Sequence, residues 1–408
     1  MLNWAKRFNI FCYLDSQQYS NDGYECLLAI NASVFINDRS SFKEIDNFLN
    51  ASKGWSFGHL SYSLKNNIFH STSAKKDRIG FPDFFFFHPE ILIVLKKHEL
   101  VINAANPGEV FLQLSNDSSI EDEKIAVDLK QGISKEEYLS IVQQLQVHIL
   151  RGDCYEINFC QEFFAENASV NAVGLFKSLL QLSPTPFSCL YRLRDRYLIC
   201  ASPERFLRKS GNQIISQPMK GTARRNLDNH ELDDQLKKTL YLDEKERAEN
   251  IMVVDLVRND LSKVCKEGTV KVDELFGIYS FPQVHQMVST VSGTLRDDMP
   301  FSEIIEATFP MGSMTGAPKY KVMQLIEDYE PIGRGLFSGS VGYIEPEGNF
   351  DFNVIIRSIL YNDATKSLSY YAGSGITFYS DAEKEWEECL LKAEAIREVL
   401  TGTISNRL

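Results

Sequence analysis

Between Ser202 and Asp260 the sequence carries four groups suited to chemistry: Glu204 in SPERF, Lys220 in QPMKGTARR, and Glu246 and Glu249 in EKERAENIMVVDLVRND. A lysine flanked by Met219 and Gly221 is a surface turn residue if exposed. If buried, it is a candidate nucleophile, because desolvation favours the neutral amine. Glu204 can act as a general acid if desolvated, or simply pair with Arg205 or Arg208. Glu246 and Glu249 share a helix face, and Glu385 and Glu388 repeat that spacing near the C-terminus. Side-by-side carboxylates repel by about a few tenths of a kcal/mol unless a cation lies between them. An all-oxygen set of this kind suits Mg²⁺. Taken singly, each E-x-x-E reads as a solvated helix face.

Candidate anion sites lie between and around these acids. FPMGSMTGAPK (309–319) sets small residues and glycines, with Thr315 and Gly316 among them, just ahead of a helix. Backbone N–H groups and the helix dipole can face a carboxylate there. AGSGIT (372–377) offers Gly373 and Gly375 as a second glycine turn. Arg357, within VIIRSI, is a cation on an apolar strand and calls for a carboxylate from the protein or a ligand.

The elements that must position these groups follow from periodicity. Residues 1–130 read as strands and turns, with Phe84–Phe87 a short strand buried on both faces and bracketed by Pro82 and Pro89. Residues 114–126 are polar and acidic, as in a surface loop. Ser134 with Glu137 forms a capping box ahead of a helix that Gly152 ends. CYEINFCQEFFAE alternates like a strand, and LFKSLLQLS reads as a helix stopped by SPTPF. SCLYRLRDRYLICASPERFL gives two strands, and LDEKERAENIMVVDLVRNDLSKV one long helix. PFSEIIEATFP and KYKVMQLIEDYEP are shorter helices; GLFSGSVGYIEPEGNFDFNVIIRSILY is a hairpin turning at PEGN. SLSYYAGSGIT is a strand and DAEKEWEECLLKAEAIREVL a closing helix. Strands and helices interleave without regular βαβ spacing, which predicts an α+β (mixed α/β) fold of mainly antiparallel sheets.

The 408 residues are 44% hydrophobic and 24% charged, as expected of a packed globular chain. A formal net charge of -12 argues against nucleic-acid binding and leaves an anionic substrate to local donors or a metal. Eight cysteines at irregular spacing, mostly among apolar neighbours, read as reduced core thiols rather than as a disulfide framework. The N-terminus lacks the features of a signal peptide, and no apolar run reaches the ~18 residues of a membrane span. A soluble, cytoplasmic protein is expected.

In order along the chain, RGDCYEIN, SPERF, PMKGTARR, RAENIMVVDLVRNDL, FPMGSMTGAPK, SGSVGYI, VIIRS and GSGIT resemble the motifs of the chorismate-utilising enzymes. That family includes anthranilate, aminodeoxychorismate, isochorismate and salicylate synthases. The resemblance implies two large antiparallel sheets, sandwiched and flanked by helices, with residues 131–408 as the catalytic region. Residues 1–130 would complete the sandwich and form a candidate regulatory region. It also implies Mg²⁺ held by Glu246, Glu249, Glu385 and Glu388. Arg357 and Tyr343 would bind the enolpyruvyl carboxylate, with Thr315, Gly316, Gly373, Gly375 and Lys392 also around the substrate.

Within the family, PMKGT resembles the PIKGT of aminodeoxychorismate synthases, whereas anthranilate synthases carry alanine in place of Lys220. Isochorismate and salicylate synthases carry a water-activating lysine where this chain has Glu156. No LLES feedback motif occurs near the N-terminus, and no GxCxG string marks a glutaminase. The resemblance therefore implies a component I that converts chorismate and ammonia to 4-amino-4-deoxychorismate, with Glu204 and Lys220 catalytic and a glutamine amidotransferase as partner. Gln286 departs from the family: it occupies the place of a histidine, and His285 lies one residue earlier, pointing to the opposite face of a strand.

Overall fold

Ser134 caps the helix Lys135–Leu150 by accepting from the Glu137 N–H. Gly152, with φ of 79°, turns the chain out of it into the strand Glu156–Ala165. In the computed structural model, which describes residues 1–17, 19, 24–73, 75–97, 99–116 and 127–402, such local signals place most elements as expected. The described residues form 19 strands in one hydrogen-bonded network, every pairing antiparallel, together with 12 α-helices. The fold is thus mixed α/β with a large antiparallel sheet.

The two expected sheets are two halves of that single network. One half runs from Glu156–Ala165 through Ser367–Ile376, Ser358–Asn362, Arg196–Ser202 and Phe187–Leu193 to Ile10–Asp15. The other runs from Ser56–Leu60 through Ser340–Ile344, Phe350–Asn353, Arg205–Ser210 and Gln213–Gln217 to Val284–Thr294. Two long strands, Cys26–Asn37 and Phe84–Lys96, pair with each other and join the halves. Their register shifts between Ala32 and Val34, opposite His88 and Pro89. Pro89 therefore does not end the Phe84–Phe87 strand as expected. An irregularity in the ladder tolerates the missing N–H, and the strand continues through it.

The main core lies between the halves: Cys12, Leu198 and Leu360 of one share a cluster with Phe57, Val341 and Phe352 of the other. Phe84–Phe87 are all buried within it. A second core, on the outer face of the first half, is covered by the helices Ala172–Leu182 and Glu394–Thr401. The expected single closing helix is two, Ala382–Lys392 and Glu394–Thr401, broken at Ala393. Of the expected loop at 114–126, residues 114 and 115 end the helix Pro107–Ser115, and 117–126 lie outside the described residues. All eight cysteines are buried. No helix among the described residues is long and apolar enough to cross a membrane.

Candidate active site

A cavity of about 820 Å³ opens where the two halves meet the helix Glu244–Ser262. Glu204, Lys220, Glu246, Glu249, Gln286 and Arg357 line it, as do Gly373, Glu388 and Lys392.

Lys220 owes its position to a register shift between Met219 and Thr222, where Gly221 adopts a φ of 94°. The irregularity turns its side chain off the sheet and into the cavity, where only 12% of it is exposed. Asn250 lies behind the strand and accepts from the Ser289 hydroxyl at 2.5 Å, tying the helix to the sheet. The Lys220 Nζ stands 2.5 Å from Glu156 Oε1 and 3.9 Å from Glu249 Oε2. Burial opposes its charge, but the attraction of Glu156 and Glu249 and the hydrogen bond to Glu156 outweigh it. Lys220 is held as an ammonium, well above the ordinary lysine range. Burial alone predicts the opposite.

Glu204 sits in the turn between Arg196–Ser202 and Arg205–Ser210, its N–H donating to the Ser202 hydroxyl and its carbonyl accepting from Val354 N–H. Of the two arginines near it in sequence, Arg205 pairs with Asp351, 3.0 Å away. Burial raises its carboxyl to about 7, with Ser313, the Met219 N–H, Lys220 and Arg357 pulling the other way. A proton donor near neutral pH results.

Arg357 lies not on a strand but just before one, at a φ of 50°. That bend aims the guanidinium into the cavity, where its Nη2 donates to Gln286 Oε1 at 2.9 Å. Burial lowers it to about 10, with Glu204 opposing. A cation whose near partner is a neutral amide suits an incoming carboxylate. Gln286 also donates to Gly221 O and the Thr222 hydroxyl. His285 points the other way, to Asp233 and Ser280, as the strand alternation requires.

Among the expected carboxylates, Glu246, Glu249 and Glu388 face the cavity, but Glu385 does not line it. Glu385 is nearly fully buried and accepts from Lys245 at 3.2 Å. Burial raises Glu249 to about 7 and raises Glu246 as well. Burial also works against ionisation of Glu388, but Lys392, 2.7 Å away, keeps its carboxyl below the ordinary range. Glu249 Oε1 is buried without a hydrogen-bond partner. Lys245 Nζ stands 3.7 Å from that oxygen, and an all-oxygen set of this kind fits Mg²⁺. Among the described residues no three His, Cys, Asp or Glu side chains enclose an ion, so water or ligand oxygens would complete the shell.

Other expected positions fall elsewhere. Tyr343 lines a separate cavity of about 580 Å³ and contacts Trp55 and Tyr24 at ring-centroid distances of 5.5 and 6.3 Å. Gly373 and Gly375 lie within a strand rather than a turn. A methyl group at 375 would collide with Lys220 Nζ and Glu156 Oε1, so this glycine makes room for their pair. Gly373 O accepts from Lys392 at 3.0 Å. Thr315 is buried with its hydroxyl donating to Met311 O, and Gly316, at φ 145°, lies against the Glu156 carbonyl. Both shape the loop behind Ser313 and Met314, which do face the cavity.

Two residues went unassigned in the sequence. Glu156 gained a partner only through tertiary contact. Arg334, 2% exposed, pairs with Glu330 at 2.6 Å and donates to Met314 O and Asn158 O at 2.7 and 2.8 Å. It clamps the Ser313–Met314 wall to the strand Glu156–Ala165; its only sequence signal is an acid four residues before an arginine. Arg334→Met should strand the Glu330 charge and cost about 3–5 kcal/mol, read by urea denaturation. An unchanged midpoint would refute the clamp.

A family model described as chorismate binding enzyme matches residues 11–398. An anthranilate synthase component I-like protein of Synechocystis is 33% identical, over 90% of this chain and 76% of its own length. Aminodeoxychorismate synthase component 1 of Escherichia coli is 33% identical, over 88% of this chain and 80% of its own. The crystal structure of anthranilate synthase component I from Streptococcus pneumoniae is similar with a TM-score of 0.80 at 25% identity, covering 92% of both chains.

Proposed function

Because this chain belongs to the chorismate-binding enzyme family, we propose that it is component I of an aminodeoxychorismate synthase, converting chorismate and ammonia to 4-amino-4-deoxychorismate for 4-aminobenzoate and folate synthesis. The observation that carries this reading is the Lys220 amine inside the cavity that Glu204 also lines. The likeness to the Escherichia coli enzyme supports it.

Chorismate would enter as a dianion. Arg357 receives the enolpyruvyl carboxylate, and Lys392 adds positive charge nearby. Glu246, Glu249 and Glu388, with water or ligand oxygens completing the shell, would hold Mg²⁺, which when bound supplies the charge that neutralises the ring carboxylate. Held as an ammonium, Lys220 must first give up a proton, and Glu156 is the nearest acceptor. The neutral amine then forms a bond to C2. Both conjugated ring double bonds shift, and the C4–O bond breaks as Glu204 protonates the departing hydroxyl to water. Ammonia attacks C4, both double bonds shift back, and the C2–N bond breaks with its electron pair returning to Lys220. The surplus proton on the new amine restores Glu204, and Glu156 returns its own to Lys220. Splitting one substitution into two is the gain of covalent catalysis. Ammonia would come from a glutamine amidotransferase subunit.

The test is to identify the product formed from chorismate, Mg²⁺ and ammonium by chromatography and mass. Aminodeoxychorismate with pyruvate retained is expected. Anthranilate or isochorismate would replace this reading with the corresponding synthase, and no product with or without a glutaminase would make the chain a binding protein. Chelation should abolish turnover and added Mg²⁺ restore it, by steady-state rates; full activity in chelator would remove the metal.

A further inference from the structure

The register shift that turns Lys220 inward sets two residues against one: Met219 stands opposite Val288 and Thr222 opposite Gln286, so Lys220 and Gly221 together face Met287. Such a bulge interrupts the ladder and leaves its residues in need of other partners. Two buried side-chain amides reach the carbonyls of these two residues. Gln286 Nε2 donates to Gly221 O at 3.1 Å, and Asn250 Nδ2 approaches Lys220 O at 3.5 Å. Resting on the reading of Lys220 as the nucleophile, we propose that Asn250 and Gln286 are positioning residues, a pair of amides that clamps the bulge and keeps the Lys220 amine aimed into the cavity.

The partners fix which way each amide faces. Gly221 O can only accept and Arg357 Nη2 can only donate, so the nitrogen of Gln286 must meet the first and its oxygen the second. Ser289 sets Asn250 in the same manner. Its hydroxyl oxygen accepts from the Phe276 N–H at 3.1 Å and donates its own hydrogen to Asn250 Oδ1 at 2.5 Å, which leaves Nδ2 for Lys220 O. Asn250 follows Glu249 on the helix Glu244–Ser262, so it ties the bulge to the element that carries two of the candidate cation ligands. Gln286 ties the same bulge to Arg357, the group that receives the enolpyruvyl carboxylate in the proposed reaction. Gln286 therefore acts through Arg357 and the bulge rather than on the substrate. The two amides hold the spacing between nucleophile, cation ligands and carboxylate receiver, and a displacement of about 1 Å there is worth about a hundredfold in rate. Neither amide ionises, so the clamp keeps its geometry while Lys220 exchanges its proton with Glu156.

Asn250→Ala should lower kcat per folded molecule by about tenfold to a hundredfold and leave the chorismate KM within about twofold, because Lys220 enters only at the chemical step. Gln286→Leu should lower kcat as much and also raise the chorismate KM about tenfold, since Arg357 loses its partner as well. Ser289 does not line the cavity. Ser289→Ala should still lower kcat about threefold by freeing Asn250, and it provides the measurement if Asn250→Ala fails to fold. Steady-state rates on chorismate, corrected for the folded fraction by circular dichroism, read all three. Amides that only support the fold would lower the denaturation midpoint and leave the kcat of folded protein unmoved, which would overturn the clamp. A loss in Asn250→Ala confined to the chorismate KM would overturn it too. No amine-bearing product from the unmodified chain would overturn the functional reading and the clamp with it. An amine-bearing product, formed at unchanged kcat by folded Asn250→Ala or Ser289→Ala, would sink the clamp alone.

Discussion

Lys220→Ala should reduce formation of 4-amino-4-deoxychorismate by at least about a thousandfold, because the group that divides the substitution into two steps is gone. The same change leaves Glu156, with 2% of its side chain exposed, facing Glu249 without the ammonium between them. Breaking a buried ion pair by removing one member costs about 3–5 kcal/mol, so the variant should also unfold at lower denaturant. The two effects separate in a double variant. Lys220→Ala with Glu156→Gln removes both charges, and should recover much of the stability while remaining inactive. Product formation by mass and urea midpoints measure the two arms. Near-normal turnover in Lys220→Ala would remove the covalent step. Inactivity repaired by Glu156→Gln would reduce Lys220 to a structural cation.

Glu204→Gln should slow turnover by roughly 10²–10⁴-fold, the usual contribution of a positioned acid. Its pH signature is specific. With the carboxyl raised to about 7, the acid form needed to protonate the leaving hydroxyl is depleted as pH rises through that value. At constant free ammonia, the rate should fall about tenfold per unit above pH 7, and the limb should vanish in the glutamine variant. Stability also falls as pH rises. The folded carboxyl binds its proton more tightly than the unfolded one, whose ordinary value is 4.5. Below 4.5 both states are protonated; as pH rises from there through 7 the unfolded state ionises first, and stability is progressively lost. Glu204→Gln should therefore gain on the order of 2 kcal/mol relative to the natural chain above pH 7. A variant both slower and less stable at pH 8 would contradict a desolvated acid.

Much of this molecule was legible in its residues. The capping box at Ser134, the turn at Gly152 and the helical period of 244–262 are local signals, and the chain obeys them because capping and helix amphipathicity act within a few residues. The ordered motifs identified the family and brought Glu204, Lys220, Glu246, Glu249, Arg357 and Glu388 forward as candidates, and the fold gathers these around one cavity. Tyr343 and Glu385 have the same standing in the sequence but do not line it. Motif position ranks residues along the chain; it does not say which way a side chain leaves a strand or which lysine reaches a carboxylate first.

Tertiary structure alone decided the electrostatics. Glu156, Lys220, Glu249 and Gly375 come from four separate elements, and they meet only because a register shift at Gly221 turns the lysine inward while Gly375 leaves space for it. The same assembly gives Lys245 to Glu385 and places Arg334 behind the Ser313–Met314 wall. Residue types and spacing determined what this protein can hold and which helices and strands it builds. Whether Lys220 rests charged, whether Glu204 keeps a proton and which acids remain for a cation depend on distances of a few ångströms across sheet halves. Coulomb attraction and desolvation change steeply over that range, and local periodicity carries no information about it.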